Sequence, residues 1–347
     1  MKVLFGVRND GPDAYYRAKA PATVLRYRGY DVTCRVPVLG EDACTFDVLV
    51  LQRHVSAMAE LVMREFQERG KPVIYDVDDW LFGIPPTWPV FHDFYEAGRA
   101  ESTEALEYHR RLLRRADLVT CPTQALAERL AAYNENVLVV PNCILWGDWD
   151  SLRPVAHREL DGPVVGWFGS INHWDNWRSV AGVLDAVLAE TPAWLAVLGF
   201  PELVQLFPDR LSKRTFVGPA RRFRSFGHVR REIKTFDVGI AWLDDTPANR
   251  CKSPLKALQY GAAGVPVIAS KLVYETVLKA GDTFYGYLAD TPAELGNLVR
   301  CFCHGGLEDA QERAAAWQQR VWEAHSYETQ AWRWMHAIEE VIGYERK

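Results

Sequence analysis

The sequence has few cysteines, and they form no pattern that would support a disulfide framework or a metal-binding thiol pair. Seven cysteines occur among 347 residues, and no two of them are spaced as a C-x-x-C motif. Small secreted scaffolds depend on dense, even-numbered cysteines, so that class of protein is excluded. We therefore expect reduced, mostly buried thiols in a cytoplasmic protein.

Long apolar runs are also missing. No stretch approaches the roughly 20 apolar residues of a membrane-spanning helix, and the opening MKVLFGV is too short and too soon interrupted for a signal peptide. A net charge of -5 does not favour a polyanionic partner. With 48% hydrophobic and 24% charged residues, the chain has the composition of a folded globular protein and is long enough for two domains.

Short apolar runs alternate with amphipathic segments along the whole chain. The runs form two similar sets: KVLFGV, DVTCRV, VLVLQR, VIYDVD, LVTCP and VLVVPN, then VVGWFGS, WLAVLGF, TFVGP, VGIAWL, VPVIAS and TFYGYL. Helical stretches such as MAELVMREFQERG lie between them, which is the rhythm of βαβ units and a mainly parallel sheet. The pattern predicts an α/β protein with two doubly wound, Rossmann-like domains.

The irregular segment PNCILWGDWDSLRPVAHRELDGP marks the predicted seam between the domains. We assign residues 1–145 to an N-terminal domain and 146–327 to a C-terminal domain. The last helix, about 328–347, has no strand after it and is expected to pack back on the first domain. Ligands of open parallel sheets bind beyond the carboxyl ends of the strands. Two such edges facing each other predict a cleft between the domains.

The segment NRCKSPLKALQYGAAGVPVIAS has the features of an anion site at a helix start. Ser253 is a good N-cap and Pro254 a good first helical residue, which predicts a helix that begins at Pro254. Its free N–H groups and positive dipole end favour an anion, and Lys252 and Lys256 can both reach a phosphate there. Gln259 follows one turn deeper, so a diphosphate that carries a polyol would fit. The alternative is a well-capped helix with solvated lysines.

Two other turns indicate the same kind of ligand. In VVGWFGSINHWDNW a buried strand runs into Gly169 and Ser170, where the backbone can approach a ligand and the hydroxyl can donate to a phosphate or sugar oxygen. Asn172 follows in this turn. The loop RNDGPDAYYRAKAP, which contains Gly11 and Arg17, follows the first strand and is expected to cover the ligand from the other side.

These segments together resemble the GT-B glycosyltransferases of the retaining, family-four type, in particular their bacterial and phage branch. The matching pieces cover nearly the whole chain: YYRAKAPATVLRYRGYDV, VIYDVDDWLF, VVPN, VGWFGS and KSPLKALQYGAAGVPVIAS. Such enzymes move a sugar from a nucleotide diphosphate to an acceptor with retention at the anomeric carbon, and no further cofactor is expected. The resemblance implies that the Gly169–Ser170 turn and the helix start hold the donor, and that residue 259 meets the ribose hydroxyls. The expected donor-binding residues are Gly11, Arg17, Gly169, Ser170, Asn172, Arg250, Lys252, Ser253, Pro254, Leu255, Lys256 and Gln259.

The chain departs from the family pattern in the same region. Family members usually carry two glutamates separated by seven residues, and here the corresponding positions are Cys251 and Gln259. The amide can still bond a ribose, without the strength of a charge-assisted hydrogen bond, but the thiol cannot replace a carboxylate. The usual basic pair after the first strand of the second domain is replaced by SINHWDNW. Lys252, Lys256 and Arg250 must then supply most of the positive charge.

Three carboxylates, Asp76, Asp78 and Asp79, end the apolar run KPVIYDVDDW. A metal-dependent GT-A enzyme would use Asp76-x-Asp78 to hold a metal on the diphosphate. That hypothesis leaves the lysines of the second half without a role, whereas in a GT-B enzyme they neutralise the leaving diphosphate and no metal is needed. We therefore expect Asp78 and Asp79 at the cleft, binding acceptor hydroxyls or orienting basic groups. Asp76 is expected to cap its strand or form a salt bridge.

His54 and His92 are further catalytic candidates, because either could face the cleft and polarise a sugar hydroxyl. A packed or surface histidine is the alternative for each.

The segment KRTFVGPARRFRSFGHVRREIK carries eight Lys or Arg residues against one Glu. A solvated face is the ordinary interpretation, but Phe223 and Phe226 also fit a nucleic-acid acceptor such as a modified DNA base. The sequence thus predicts a glycosyltransferase with a nucleotide-sugar donor, a glycan, small-molecule or nucleic-acid acceptor, and no metal. A non-catalytic GT-B relative, favoured by Cys251 and Gln259, and a GT-A enzyme remain as alternatives.

Overall fold

Two six-stranded parallel sheets, one in each half of the chain, organise the molecule. The computed structural model describes residues 1–88, 91, 102–150, 152, 160–199, 201–207, 215–217 and 226–343.

The first sheet has the strand order β2-β1-β3-β4-β5-β6. Its strands are β1 (Lys2–Val7), β2 (Asp31–Arg35), β3 (Val48–Gln52), β4 (Val73–Asp76), β5 (Leu118–Cys121) and β6 (Val137–Val139). Strand β3 is buried along its whole length because helices cover both faces of the sheet. Val48 and Val50 pack into the core on one face, and Leu49 and Leu51 pack into the core on the other.

The helices of the first half follow the strands, as βαβ units require. They are α1 (Pro12–Ala14), a π-helical turn (Tyr15–Lys19), α2 (Ala20–Tyr27), α3 (Ala57–Glu68), α4 (Ser102–Arg115) and α5 (Gln124–Leu130), with 3-10 turns at Gly40–Cys44 and Leu81–Gly83. Ser56 and Thr123 cap α3 and α5, since each hydroxyl accepts a hydrogen bond from an N–H of the first turn.

The second sheet has the order β14-β11-β10-β7-β8-β9. Its strands are β7 (Val164–Phe168), β8 (Trp194–Leu198), β9 (Thr215–Val217), β10 (Val238–Ala241), β11 (Val267–Ser270) and β14 (Tyr287–Ala289), and β12 (Lys279–Ala280) and β13 (Thr283–Phe284) form a separate antiparallel pair. Its helices are α6 (Gly147–Asp150), α7 (Trp174–Glu190), α8 (Phe226–Ile233), α9 (Pro247–Arg250), α10 (Leu255–Ala263), α11 (Lys271–Leu278), α12 (Pro292–Cys303) and α13 (Ala310–His325), with 3-10 turns at Ile171–His173 and Pro201–Leu206.

The last described helix, α14 (Tyr327–Gly343), lies against the first sheet rather than the second. Its Trp334 meets Phe5 of β1 edge to face, with ring centres 5.3 Å apart. The hydroxyl of Tyr327 donates to the carbonyl of Tyr16 in the π-helical turn. The chain thus crosses from the second half back to the first before it ends.

The carboxyl edges of the two sheets face each other. Asp79, which follows β4, is paired with Lys252, which precedes α10, and Gln259 of α10 is bonded to Tyr16. The predicted architecture of two Rossmann-like domains around a central cleft is confirmed. Among the described residues, none of the helices combines the length and the apolar character that crossing a membrane requires.

Candidate functional site

The helix that was predicted to begin at Pro254 begins one residue later. Pro254 has ψ 27° and occupies the N-cap position of α10, which starts at Leu255. Ser253 therefore does not cap the helix, and its buried hydroxyl makes no hydrogen bond within the described structure. Gly264 ends the helix with φ 72°, a left-handed conformation that glycine adopts without strain. The first N–H groups of α10 have no partner inside the helix and are therefore available to donate to an anion.

Lys256, in the first turn of α10, lies against the turn that follows β7. Its Nζ is 2.9 Å from Nε2 of His173, and the faces of Trp167 and Phe168 lie within 5.6 Å of the ammonium. Burial lowers the pKa of Lys256 to about 7, and the positive charge of Lys252 adds to the shift. Burial and the positive charges of Lys256 and Lys252 hold the pKa of His173 well below its usual value, so the ring that is hydrogen-bonded to Lys256 is neutral.

Lys252 connects the two domains. Its Nζ is 3.2 Å from Oδ1 of Asp79 and 4.8 Å from the centre of the Trp88 ring. The two predicted lysines thus lie beside the helix start but in different environments. Lys252 is already paired with a carboxylate, whereas Lys256 forms no ion pair with any carboxylate in the part of the chain that the structure describes.

The Gly169–Ser170 turn forms part of a cavity of about 680 Å³. The cavity is lined by Thr87, Ser170, Ile171, Trp174, Gly199, Glu202 and Gln205. A side chain at Gly169 would come within 2.5 Å of the Trp167 ring, so only glycine fits there. Ser170 and Gly199 follow β7 and β8, which places the cavity at the carboxyl edge of the second sheet, where ligands bind in such folds. Asn172 is half-buried in the same turn.

On the opposite side of the cleft, Arg53 holds three carboxylates together. Its Nη1 is 3.3 Å from Asp78, 3.4 Å from Asp79 and 3.7 Å from Asp13. Burial raises the pKa of Asp78 to about 7 despite Arg53, and the neighbouring Asp79 adds to the rise. Burial would also raise the pKa of Asp79, but Lys252 and Arg53 outweigh it and hold that pKa below its usual value. One carboxylate is therefore charged at neutral pH, and the other is close to its midpoint.

Arg53 is a candidate that the sequence analysis missed. It directly follows β3 and has φ 53°, which a residue with a side chain seldom adopts and which is most frequent at functional sites. An arginine immediately after the buried run VLVLQ was the available signal. Gly11, predicted to face the donor, lies at the start of α1 beside Asp13 and so belongs to this cluster.

Arg17 is not a donor-binding residue in this structure, which corrects the prediction. It is fully buried, and its guanidinium bonds both carboxylate oxygens of Asp76 at 2.5 and 3.0 Å. It also donates to the carbonyl of Val140 and to Asn142. Asp76 in turn accepts from Thr120 at 2.7 Å. The salt bridge expected for Asp76 is present. Asp76 is the last residue of β4 and pairs with Arg17, whereas Asp78 lies beyond the end of the strand and pairs with Arg53.

Gln259 and Cys251 are also occupied by contacts within the protein. The Gln259 amide is buried and donates to the Tyr16 hydroxyl at 2.6 Å, rather than pointing into open space for a ribose. Cys251 packs into a core of the first domain, and its carbonyl accepts from Thr123 at 2.9 Å. Both departures from the family pattern therefore lie at the contact between the domains.

Arg250 was expected to contribute charge to the donor site. Both of its bonds go to the carboxylate of Asp245, at 2.6 Å, and the side chain is 60% exposed. Its charge is thus directed to the surface.

The histidine candidates have different outcomes. His54 directly follows Arg53. Burial lowers the pKa of His54 to about 4, and the positive charge of Arg8 adds to the shift. The ring is therefore neutral at neutral pH and can accept a hydrogen bond from a hydroxyl. His92 lies outside the described residues, as does much of the basic segment from Lys213 to Lys234. In the part of the chain that the structure describes, no three His, Cys, Asp or Glu side chains are grouped as metal ligands.

No protein-family model matches the chain. The Bacillus subtilis protein TuaH, whose name assigns it provisionally to teichuronic acid biosynthesis as a glycosyltransferase, is 26% identical over 219 residues, which are 58% of this chain and 50% of that protein. The chain spans about half the length of this curated relative.

Solved structures align along almost the whole chain. Anabaena HepE in complex with UDP-glucose has a TM-score of 0.68 at 15% identity, covering 98% of this chain and 100% of that one. A glycosyltransferase from Rickettsia africae gives 0.67 at 11% identity, covering 99% of each chain. Sucrose-phosphate synthase from Thermosynechococcus elongatus gives 0.64 at 14% identity, covering 98% and 99%. The GT-A alternative is therefore wrong, and the chain has the GT-B fold.

Proposed function

We propose that this chain is a glycosyltransferase that takes a sugar from a nucleotide diphosphate and transfers it to an acceptor hydroxyl, with retention and without a metal cofactor. The observation that carries the proposal is the position of Lys252 and Lys256. Both lie at the start of α10, beside the cavity turn at Ser170 and opposite Asp78 and Asp79.

The donor side supplies what a leaving diphosphate requires. The negative charges of the diphosphate are stabilised by ammonium groups and by the unpaired N–H groups of a helix start. The cavity of about 680 Å³ has the size of a small-molecule site and can receive the remainder of the nucleotide sugar. A nucleotide-sugar donor is further supported by HepE, which has the same fold and was solved with UDP-glucose.

The acceptor side has groups that suit a sugar hydroxyl. Asp79 is charged, Asp78 is close to its midpoint at neutral pH, and His54 is neutral. Such groups accept hydrogen bonds from hydroxyls and position them for attack. The positive partners of Asp78 and Asp79 are Arg53 and Lys252, so the chain provides its own countercharge, which supports metal-independent transfer.

A second candidate is a GT-B protein that binds nucleotides without transferring sugar. The observation that favours it is the engagement of Cys251 and Gln259 in the contact between the domains, at the two positions where the resemblance leads one to expect glutamates. This candidate predicts tight nucleotide binding with no turnover.

One experiment separates the candidates. The protein is incubated with UDP-, GDP- and ADP-sugars, with and without EDTA, and both sugar release and nucleotide binding are measured. EDTA-insensitive turnover supports the proposal. Binding without turnover supports the second candidate, and turnover that EDTA abolishes contradicts the metal-free mechanism.

Asp78→Asn is expected to lower kcat/KM for transfer about 100-fold or more while nucleotide affinity stays nearly unchanged, because the diphosphate is held by the other domain. Asp79→Asn is expected to lower transfer as well, but to keep or strengthen nucleotide affinity, since it releases Lys252. Calorimetry with magnesium or manganese and then with EDTA gives the affinities, and Asp245→Asn, at an exposed surface pair, is the control. Loss of metal-dependent nucleotide binding in Asp78→Asn would show that this carboxylate holds a metal.

A further inference from the structure

Lys256 and His173 form a hydrogen-bonded pair of basic groups with no carboxylate beside them. Their nitrogens are 2.9 Å apart, and no acidic side chain of the described residues forms an ion pair with either. The charge of Lys252 also acts on both groups, and its own partner Asp79 comes from the first domain. The aromatic faces of Trp167 and Phe168 complete the surroundings.

We propose that binding of the donor diphosphate is coupled to the uptake of one proton from the solvent by the Lys256–His173 pair. This inference rests on the proposed function and adds to it a dependence of donor affinity on pH.

The reason is electrostatic. Two basic nitrogens at hydrogen-bond distance hold at most one proton between them, and even one positive charge there, beside Lys252 in a partly dehydrated site, is unfavourable without an anion. A bound diphosphate supplies that anion. The proton is added to Nζ of Lys256, which then donates to a phosphate oxygen and to neutral His173.

The sign of the pH dependence follows from the pKa of Lys256, which is about 7 in the free protein. A bound anion raises this pKa, so uptake is small below pH 7 and approaches one proton above it. With a pKa near 7, the expected uptake is roughly 0.1 proton at pH 6, 0.5 at pH 7 and 0.9 at pH 8. Donor affinity is accordingly expected to fall about fivefold between pH 7 and pH 8.

Calorimetry in two buffers of different ionisation enthalpy measures the protons taken up. The probes are UDP-glucose and GDP-mannose, because a diphosphate esterified at both ends does not itself titrate near neutral pH. Lys256→Arg is the decisive variant, since an arginine stays protonated and should bind the probe without proton uptake. Lys271→Arg, at an exposed lysine paired with Asp290, is the matched control and should keep the uptake of the parent.

Asp78 requires a separate arm, because its pKa is also about 7 and a nearby anion would raise it. Asp78→Asn should retain the uptake if the proton goes to Lys256. Binding without uptake at every pH, or uptake that persists in Lys256→Arg, overturns the inference and leaves the proposed function standing. Failure of the parent protein to bind any UDP-, GDP- or ADP-sugar overturns both.

Discussion

Lys252→Ala and Lys256→Ala are each expected to weaken nucleotide-sugar binding by about 1.5–3 kcal/mol, or roughly 10- to 150-fold, because each removes a charge-assisted hydrogen bond to the diphosphate. The two losses should differ in their pH dependence. The Lys256 side chain has a pKa of about 7, so its contribution to affinity is largest at or below neutral pH. Lys252 must leave Asp79 to bind a phosphate, and part of its contribution is offset by the lost ion pair.

The measurement is calorimetric or fluorimetric titration with the nucleotide sugar that the panel identifies, at two pH values. Lys271→Ala is the control, because it removes a lysine of the same domain that is exposed and bound to Asp290. Circular dichroism spectra and Tm establish that each variant is folded. Parental affinity in both Lys252→Ala and Lys256→Ala would rule out the start of α10 as the diphosphate site.

Arg17→Met and Asp76→Asn are each expected to destabilise the protein by about 3–5 kcal/mol, because each leaves a partly or fully uncompensated buried group. The pair is completely buried and also joins Thr120, Val140 and Asn142. Arg17 lies 5.3 Å from the ring of Trp334, so the helix that returns to the first domain depends on it too.

Chemical denaturation followed by circular dichroism measures this loss. Glu65→Gln breaks an exposed ion pair with Arg69 and should change stability by less than about 1 kcal/mol. Combining Arg17→Met with Asp76→Asn removes both charges and should cost less than the sum of the two single changes. If Arg17→Met were as stable as the parent but unable to bind nucleotide, the donor-binding role first predicted for Arg17 would be restored.

Local features of the sequence predicted most of the fold. Buried apolar runs between amphipathic segments predict two parallel sheets because such strands are covered by helices on both faces. The start of α10 was predicted to within one residue from Ser253 and Pro254, since capping preferences act within a single turn.

The local sequence did not predict which basic groups pair with the three carboxylates. The run at Asp76, Asp78 and Asp79 does not reveal which oxygen meets a cation, because the partners are distant in sequence. Asp76 bonds an arginine 59 residues away, and Asp79 bonds a lysine 173 residues away. Asp76, the last residue of β4, forms a buried ion pair with Arg17, whereas Asp78, just beyond the strand, pairs with Arg53.

The sequence by itself determined the two-domain α/β architecture, the helix start beside Lys252 and Lys256 and the glycine turn, because each depends on residues within a few positions of one another. Only the tertiary structure decided that Gln259 bonds Tyr16 across 243 residues and that Lys256 meets His173 across 83. The first contact depends on how the two sheets are placed against each other, and the second on how α10 packs against the turn after β7 within the second domain. Packing therefore turned one predicted donor residue into a contact between the domains, and gave another a neutral histidine as its partner.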